Sequence, residues 1–171
     1  MKILLLHKVN ILLADDDIDD CMFFQEALDE LQLQTKLTTV HDGERLLQRL
    51  TNLPCLPDRQ AAGRHGNSDQ LFDVLFLDLN MPRKNGFACL TEIKSNPKLK
   101  ALPVIILSTS FDHKIADLLY KNGAQHYICK PADFSQLKKV IGQALALVAI
   151  ENNQQPSQSK FLLTNLKSIL F

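Results

Sequence analysis

Three aspartates carry the most chemistry in this chain. Asp15 and Asp16 follow the apolar run Ile11-Leu12-Leu13-Ala14, and Asp78 follows Leu75-Phe76-Leu77. Ser108 and Thr109 end Val104-Ile105-Ile106-Leu107 in the same way, and Lys130 ends Tyr127-Ile128-Cys129. Carboxylates gathered in a partly desolvated cleft repel one another and are costly without a cation. A hard divalent ion with oxygen ligands relieves that cost, and Mg²⁺ suits a shallow site where waters stay bound. A carboxylate beside such an ion can act as a nucleophile towards phosphorus and give an aspartyl phosphate. Transfer of this kind needs mainly positioning and charge neutralisation. Lys130 would neutralise one phosphoryl oxygen, and the Ser108 hydroxyl would donate to another.

Those residues work together only if the elements before them end at one edge. Val9–Ala14, Thr35–Val40, Leu71–Leu77, Pro103–Leu107 and His126–Cys129 read as five short strands. Several are nearly continuous in apolar character, as in a parallel sheet buried on both faces. Segments of helical period lie between them. Ile18, Cys21, Phe24, Leu28 and Leu31 form one stripe, and Leu46, Leu47 and Leu50 follow the Asp42-Gly43 turn. Helices are predicted over residues 87–95 and 111–122, with Gly123 as a C-terminal cap. Asp133 caps a last helix carrying Leu137, Val140, Ile141, Ala144, Leu145 and Val148. Strict β/α alternation argues an α/β doubly wound parallel sheet with right-handed crossovers. Its working site then lies at the carboxyl ends of the strands.

The 171 residues fit one domain, and 46% are hydrophobic. Nineteen basic residues balance nineteen acidic ones, so nothing points to nucleic acid or an anionic membrane. No apolar run approaches the roughly 18 residues of a membrane span. The apolar stretch Ile3-Leu4-Leu5-Leu6 reads as too short for a secretory signal. Cys21, Cys55, Cys89 and Cys129 are scattered and read as free thiols in a reducing cytoplasm. Residues 51–70 form a turn-rich insertion that is mobile or binds something. A polar linker over 151–160 leads to an amphipathic tail, 161–171, at helical spacing. That tail reads as packing on the domain, a loose end, or a homodimer or partner contact.

The ordered motifs resemble those of a known family over about residues 9–150. They are Ile11-Leu12-Leu13-Ala14-Asp15-Asp16, Leu75-Phe76-Leu77-Asp78-Leu79-Asn80-Met81-Pro82, Gly86, Ile106-Leu107-Ser108 and Tyr127-Ile128-Cys129-Lys130-Pro131. Together they resemble a receiver domain, the phosphoacceptor module of two-component response regulators. The resemblance implies a flavodoxin-like five-stranded sheet in the order 2-1-3-4-5. It implies that Asp78 is the phosphoacceptor, and that Asp15, Asp16, Asp78 and the backbone carbonyl of Asn80 hold Mg²⁺. Lys130 would pair with the phosphoryl group, Ser108 would be the switch hydroxyl, and Tyr127 the aromatic that changes rotamer with it. The Lys130–Pro131 bond would be cis. A sensor histidine kinase would be the donor, and a downstream protein target or phosphotransfer protein the output. No output domain is visible after residue 150, and no direct DNA binding is implied. The 51–70 insertion resembles that of small stand-alone regulators, including those paired with bacterial phytochromes.

The chain departs from the family pattern at Lys84, Asn85 and Thr109. Thr109 stands where a smaller residue is frequent and would narrow access to Asp78. Two other functions would use some of the same residues. A Mg²⁺-dependent aspartyl phosphatase of the haloacid-dehalogenase type also uses Asp and Lys, but its usual signature is Asp-x-Asp on the first strand, whereas here that strand ends in adjacent acids and the acceptor segment Asp78-Leu79-Asn80 lies on the third. A pseudo-receiver would bind a partner without phosphorylation. Other residues have plain readings. Asp17, Asp19 and Asp20 suit a helix N-terminus. The five histidines read as surface or loop residues.

Overall fold

The computed structural model describes residues 8–52, 72–151 and 154–163. The apolar runs become strands β1 (Val9–Ala14), β2 (Thr35–Val40), β3 (Val74–Asp78), β4 (Val104–Ser108) and β5 (His126–Cys129). β1, β3 and β4 are buried at every position, because helices cover both faces of the sheet. β2, the threonine-bearing edge, is half-buried at best. Between the strands run α1 (Ile18–Leu31), α2 (Gly43–Thr51), α3 (Gly86–Ser95), α4 (His113–Lys121) and α5 (Phe134–Glu151).

Each of these helices starts behind an Asp or Asn whose side chain accepts from free backbone N–H groups. Asp17, Asp42, Asn85, Asp112 and Asp133 do this for α1 to α5 in turn. A cap of this kind is worth about 1 kcal/mol. Gly123 follows α4 with φ +89°, a left-handed turn that glycine enters without a steric penalty.

All strand pairs are parallel, and the spatial order is 2-1-3-4-5 with a sixth strand beyond β5. Alternate side chains sort to opposite faces. Leu12, Leu75, Leu77 and Ile106 pack with α2, α3 and α4, while Leu13, Phe76, Ile105 and Leu107 pack with α1 and α5. The register fixes the working edge. Ala14 pairs with Leu77, Asp78 with Leu107, and Ser108 with Cys129. One further step along β1 and β5 therefore sets Asp15, Asp78, Ser108 and Lys130 along a single rim. The order of strands reverses between β1 and β3, so Asp15 and Asp78 flank the crevice where such sheets bind ligands.

Three expectations change. The sheet has six strands: Leu162–Leu163, read from sequence as part of a helical stripe, form β6 against Tyr127 and Ile128. A 3₁₀ turn over Gln158–Lys160 precedes it. Second, Ile18 is exposed, because it opens α1 before the helix reaches the sheet; Cys21, Phe24, Ala27 and Leu28 are the buried face. Third, His126 is fully buried, not a surface residue. Its ring nitrogens lie 2.9 Å from Glu151 Oε2 and 3.2 Å from the Lys160 carbonyl oxygen, polar partners that permit the burial. The insertion from residue 53 onward, Cys55, and the tail over 164–171 lie outside the described residues.

Candidate functional site

The rim brings Asp15, Asp16 and Asp78 together, with one carboxylate oxygen from each lying within 4.8 Å of the others. Asp15 and Asp78 are buried and Asp16 is exposed. Asp15 sits where β1 turns into α1, and its carboxylate accepts from the Asp17 N–H at 3.0 Å. Asp78 accepts from the Asn80 N–H at 3.2 Å, which fixes the loop after β3 against the carboxylate. Burial pushes both buried carboxyls above the ordinary carboxylate range, and Lys130 pulls each partway back; the Asp15 charge raises Asp78 further, and the Asp20 charge raises Asp15.

Lys130 supplies the positive charge among these acids. Its Nζ lies 2.7 Å from Asp15, 2.7 Å from Asp20 and 3.5 Å from Asp78. Burial disfavours the charged lysine, yet the hydrogen bonds to Asp15 and Asp20 outweigh it and hold the ammonium above the usual lysine range. The directions agree physically. One cation faces three anions and is well stabilised, while each acid has only a share of that cation. No peptide bond among the described residues is cis, so Lys130–Pro131 is trans, against the family expectation. Trans is the more stable X–Pro state by about 0.5–1 kcal/mol, and the lysine reaches the acids from it.

Ser108 is buried, and its backbone carbonyl accepts from the Lys130 N–H at 2.7 Å, which ties the ends of β4 and β5. Its hydroxyl oxygen accepts from the Ser110 N–H at 3.4 Å. Thr109 is exposed. Tyr127 is 1% exposed, and its hydroxyl donates to the Ser110 carbonyl at 2.7 Å. The ring thus lies inward beneath the loop that carries Ser108 and Thr109, with Phe111 edge-on at 5.4 Å.

Gly86 explains part of the loop after β3. A Cβ there would collide with the Asp78 carbonyl oxygen and come within 2.9 Å of Leu79 Cα. Only glycine lets α3 start this close to Asp78. Asn85, a departure from the family pattern, keeps a structural task as the α3 cap.

Sequence reasoning gave Asp20 only a helix-terminal role. The structure brings it to Lys130. The signal available was its place on the first turn of the helix that directly follows the acid pair. His41 was also missed; its Nδ1 lies 2.9 Å from the Asp15 carbonyl oxygen. A cavity of about 220 Å³ opens beside Lys130, lined in part by Asp20, Phe23, Phe134 and Leu137. The donor set of the rim is all carboxylate oxygen, two members are buried, and their charge is under-compensated. These residues fit a hard divalent cation such as Mg²⁺.

Known proteins show the same arrangement of chain. The response regulator Rcp1 of Synechocystis sp. is 31% identical over 131 residues, covering 77% of this chain and 82% of Rcp1. The crystal structure of the phosphorylated cyanobacterial phytochrome response regulator RcpA superposes with a TM-score of 0.65 at 31% identity, covering 84% of this chain and 95% of that one. The Mn²⁺-bound form of Rcp1 superposes with a TM-score of 0.64 at 28% identity, covering 87% and 99%. Among the described residues no helix is long and apolar enough to cross a membrane. The family model of the response regulator receiver domain matches residues 11–142, the whole span from β1 into α5, and the chain belongs to that family of two-component signalling domains.

Proposed function

We propose that Asp78 accepts a phosphoryl group from a sensor histidine kinase, and that Asp15, Asp16, Asp78 and the Asn80 backbone carbonyl hold Mg²⁺ for that transfer. The observation that carries this reading is the meeting of three carboxylates within 4.8 Å, with Lys130 Nζ 3.5 Å from Asp78. When bound, Mg²⁺ neutralises charge on the phosphoryl oxygens. Asp78 supplies the attacking carboxylate oxygen. Lys130 offers an N–H to the arriving phosphoryl group. The Ser108 hydroxyl donates to a further oxygen and draws its loop towards Asp78. Tyr127 holds that loop through Ser110, so movement of Ser108 changes the packing of the Tyr127 ring. The result is a shift between two populations, driven by a local change of charge. The output is a contact with a downstream protein target or a phosphotransfer protein. The states in which the relatives were solved, phosphorylated RcpA and Mn²⁺-bound Rcp1, support the reading.

Intact mass after incubation with acetyl phosphate tests it, on wild type and Asp78→Ala, with and without Mg²⁺. The expected result is one Mg²⁺-dependent phosphoryl adduct that Asp78→Ala lacks. An adduct retained by Asp78→Ala would move the acceptor elsewhere. Folded wild type that takes no phosphoryl group from either acetyl phosphate or a histidine kinase favours a pseudo-receiver.

A further inference from the structure

Lys130 holds its two close carboxylates on unequal terms. The Asp15 side chain is 2% exposed, so releasing it would leave a buried charge without a partner. The Asp20 side chain is 39% exposed and can be solvated when released. Asp20 stands on the first turn of α1 and is not one of the three clustered carboxylates. Asp78 is the most distant of the lysine's three acids, at 3.5 Å. The ammonium is therefore drawn towards α1 and away from the residue that it serves.

We infer that Asp20 is a positioning residue, a detachable anchor that holds Lys130 off Asp78 until a phosphoryl group competes for it. This inference rests on the reading of Asp78 as the acceptor. In the reaction with acetyl phosphate, an Asp78 carboxylate oxygen forms a bond to phosphorus. The bond from phosphorus to the acetyl oxygen breaks, and acetate leaves with its electron pair. Lys130 keeps its proton throughout. It exchanges the Asp20 carboxylate for a phosphoryl oxygen, while Asp15 stays paired. Asp20 thus acts through Lys130 and opposes the transfer. Its removal lowers the barrier to phosphoryl entry.

Asp19 provides the control. It carries the same charge on the same turn of α1 and is not among the three carboxylates within 4 Å of Nζ. Adduct formation from acetyl phosphate at saturating Mg²⁺ is followed by intact mass for wild type, Asp20→Asn, Asp20→Glu and Asp19→Asn. The expected result is about twofold to fivefold faster formation in Asp20→Asn, the upper part of the range for loss of one partly exposed ion pair. Asp20→Glu and Asp19→Asn should match wild type. An unchanged or slower Asp20→Asn overturns the inference. So does equal acceleration by Asp19→Asn, which would mark a general charge effect. A second measurement stands apart from phosphorylation. The ¹⁵N-detected ammonium signal of Lys130 should be sharp and slow to exchange in wild type and Asp19→Asn, and broadened in Asp20→Asn. If wild type takes no phosphoryl group, the acceptor reading fails. The ammonium signal then decides the anchor, and its absence from wild type or persistence in Asp20→Asn overturns it.

Discussion

Lys130 and Asp15 meet at 2.7 Å across 115 residues of chain, and nearly all of the acid is hidden from solvent. The pair joins the first and fifth strands at the working rim. Lys130→Met keeps the stem of the side chain and removes the charge. The variant should lose about 3 kcal/mol at neutral pH, because a buried carboxylate loses its cation. Asp15→Asn in the same background should restore most of that loss. The sign with pH follows from the raised Asp15 carboxyl. A folded pKa above 3.8 gives a favourable contribution that is complete below 3.8 and lost as pH rises through the folded value. The Lys130→Met penalty should therefore shrink as pH falls towards 3.8. Urea unfolding at several pH values measures it, and a penalty independent of both pH and Asp15 would contradict the pairing.

Asp78→Asn should raise the melting temperature of the protein without divalent ion. Burial, together with the Asp15 charge, opposes the ionised form of Asp78, and the amide removes that opposition at nearly constant shape. Mg²⁺ should raise the wild-type melting temperature instead. Binding to the folded state contributes about 2.7 kcal/mol at one hundred times the dissociation constant. Asp15→Asn and Asp78→Asn should lose most of the Mg²⁺-induced shift. A shift that is equal in all three proteins would place the ion elsewhere.

The rim was legible in the sequence because buried parallel strands are short apolar runs, and the polar residue that stops each run marks its end. Asp15, Asp78, Ser108 and Lys130 were all readable in that way. Partners supplied from distant chain were not. His126 reads as polar and exposed, yet Glu151 and the Lys160 carbonyl arrive from 25 and 34 residues away to satisfy it. Leu162 and Leu163 are too few to show a strand period, and their pairing with β5 is a tertiary event. Asp20 looked like any acid at a helix start until the chain brought Lys130 to it.

Cysteine reactivity should follow depth. Burial pushes the Cys21 thiol up to about 11, with the Asp15 charge adding to it, and burial does the same at Cys89. At pH 8 a thiol of that pKa is thiolate in a fraction on the order of 0.001, and the thiolate is the nucleophile. Cys129 is only half-buried. Iodoacetamide at pH 8 should therefore modify Cys129 well before Cys21 or Cys89 in peptide-resolved mass spectra. The raised thiols favour the folded state below 9.0, and that contribution is lost as pH rises through about 11. Rapid labelling of Cys21 at pH 8 would mean that α1 does not pack its Cys21 face on the sheet as described.

Phe161 ties the approach to β6 to Tyr127, and the chain contains the optical probes to follow it. The two tyrosines of the sequence, which has no tryptophan, both meet this ring. Tyr120 lies edge-on at 5.3 Å and Tyr127 at 6.2 Å, and the Tyr127 N–H donates to the Phe161 carbonyl at 2.8 Å. The approach to β6 is anchored as well. The Tyr120 hydroxyl donates to the Pro156 carbonyl at 2.8 Å, and the Gln155 amide donates to the Ala124 carbonyl at 2.7 Å. Phe161→Ala should therefore cost about 3 kcal/mol, the lower end for a buried phenylalanine, since the ring sits at the edge of the core. It should also weaken near-ultraviolet circular dichroism in the tyrosine band, because both phenols lose a fixed aromatic neighbour. Phe161→Leu should recover part of the stability and little of the tyrosine signal. If Phe161→Ala leaves both measurements at wild-type values, β6 does not pack on β5 in solution and Tyr127 turns without it.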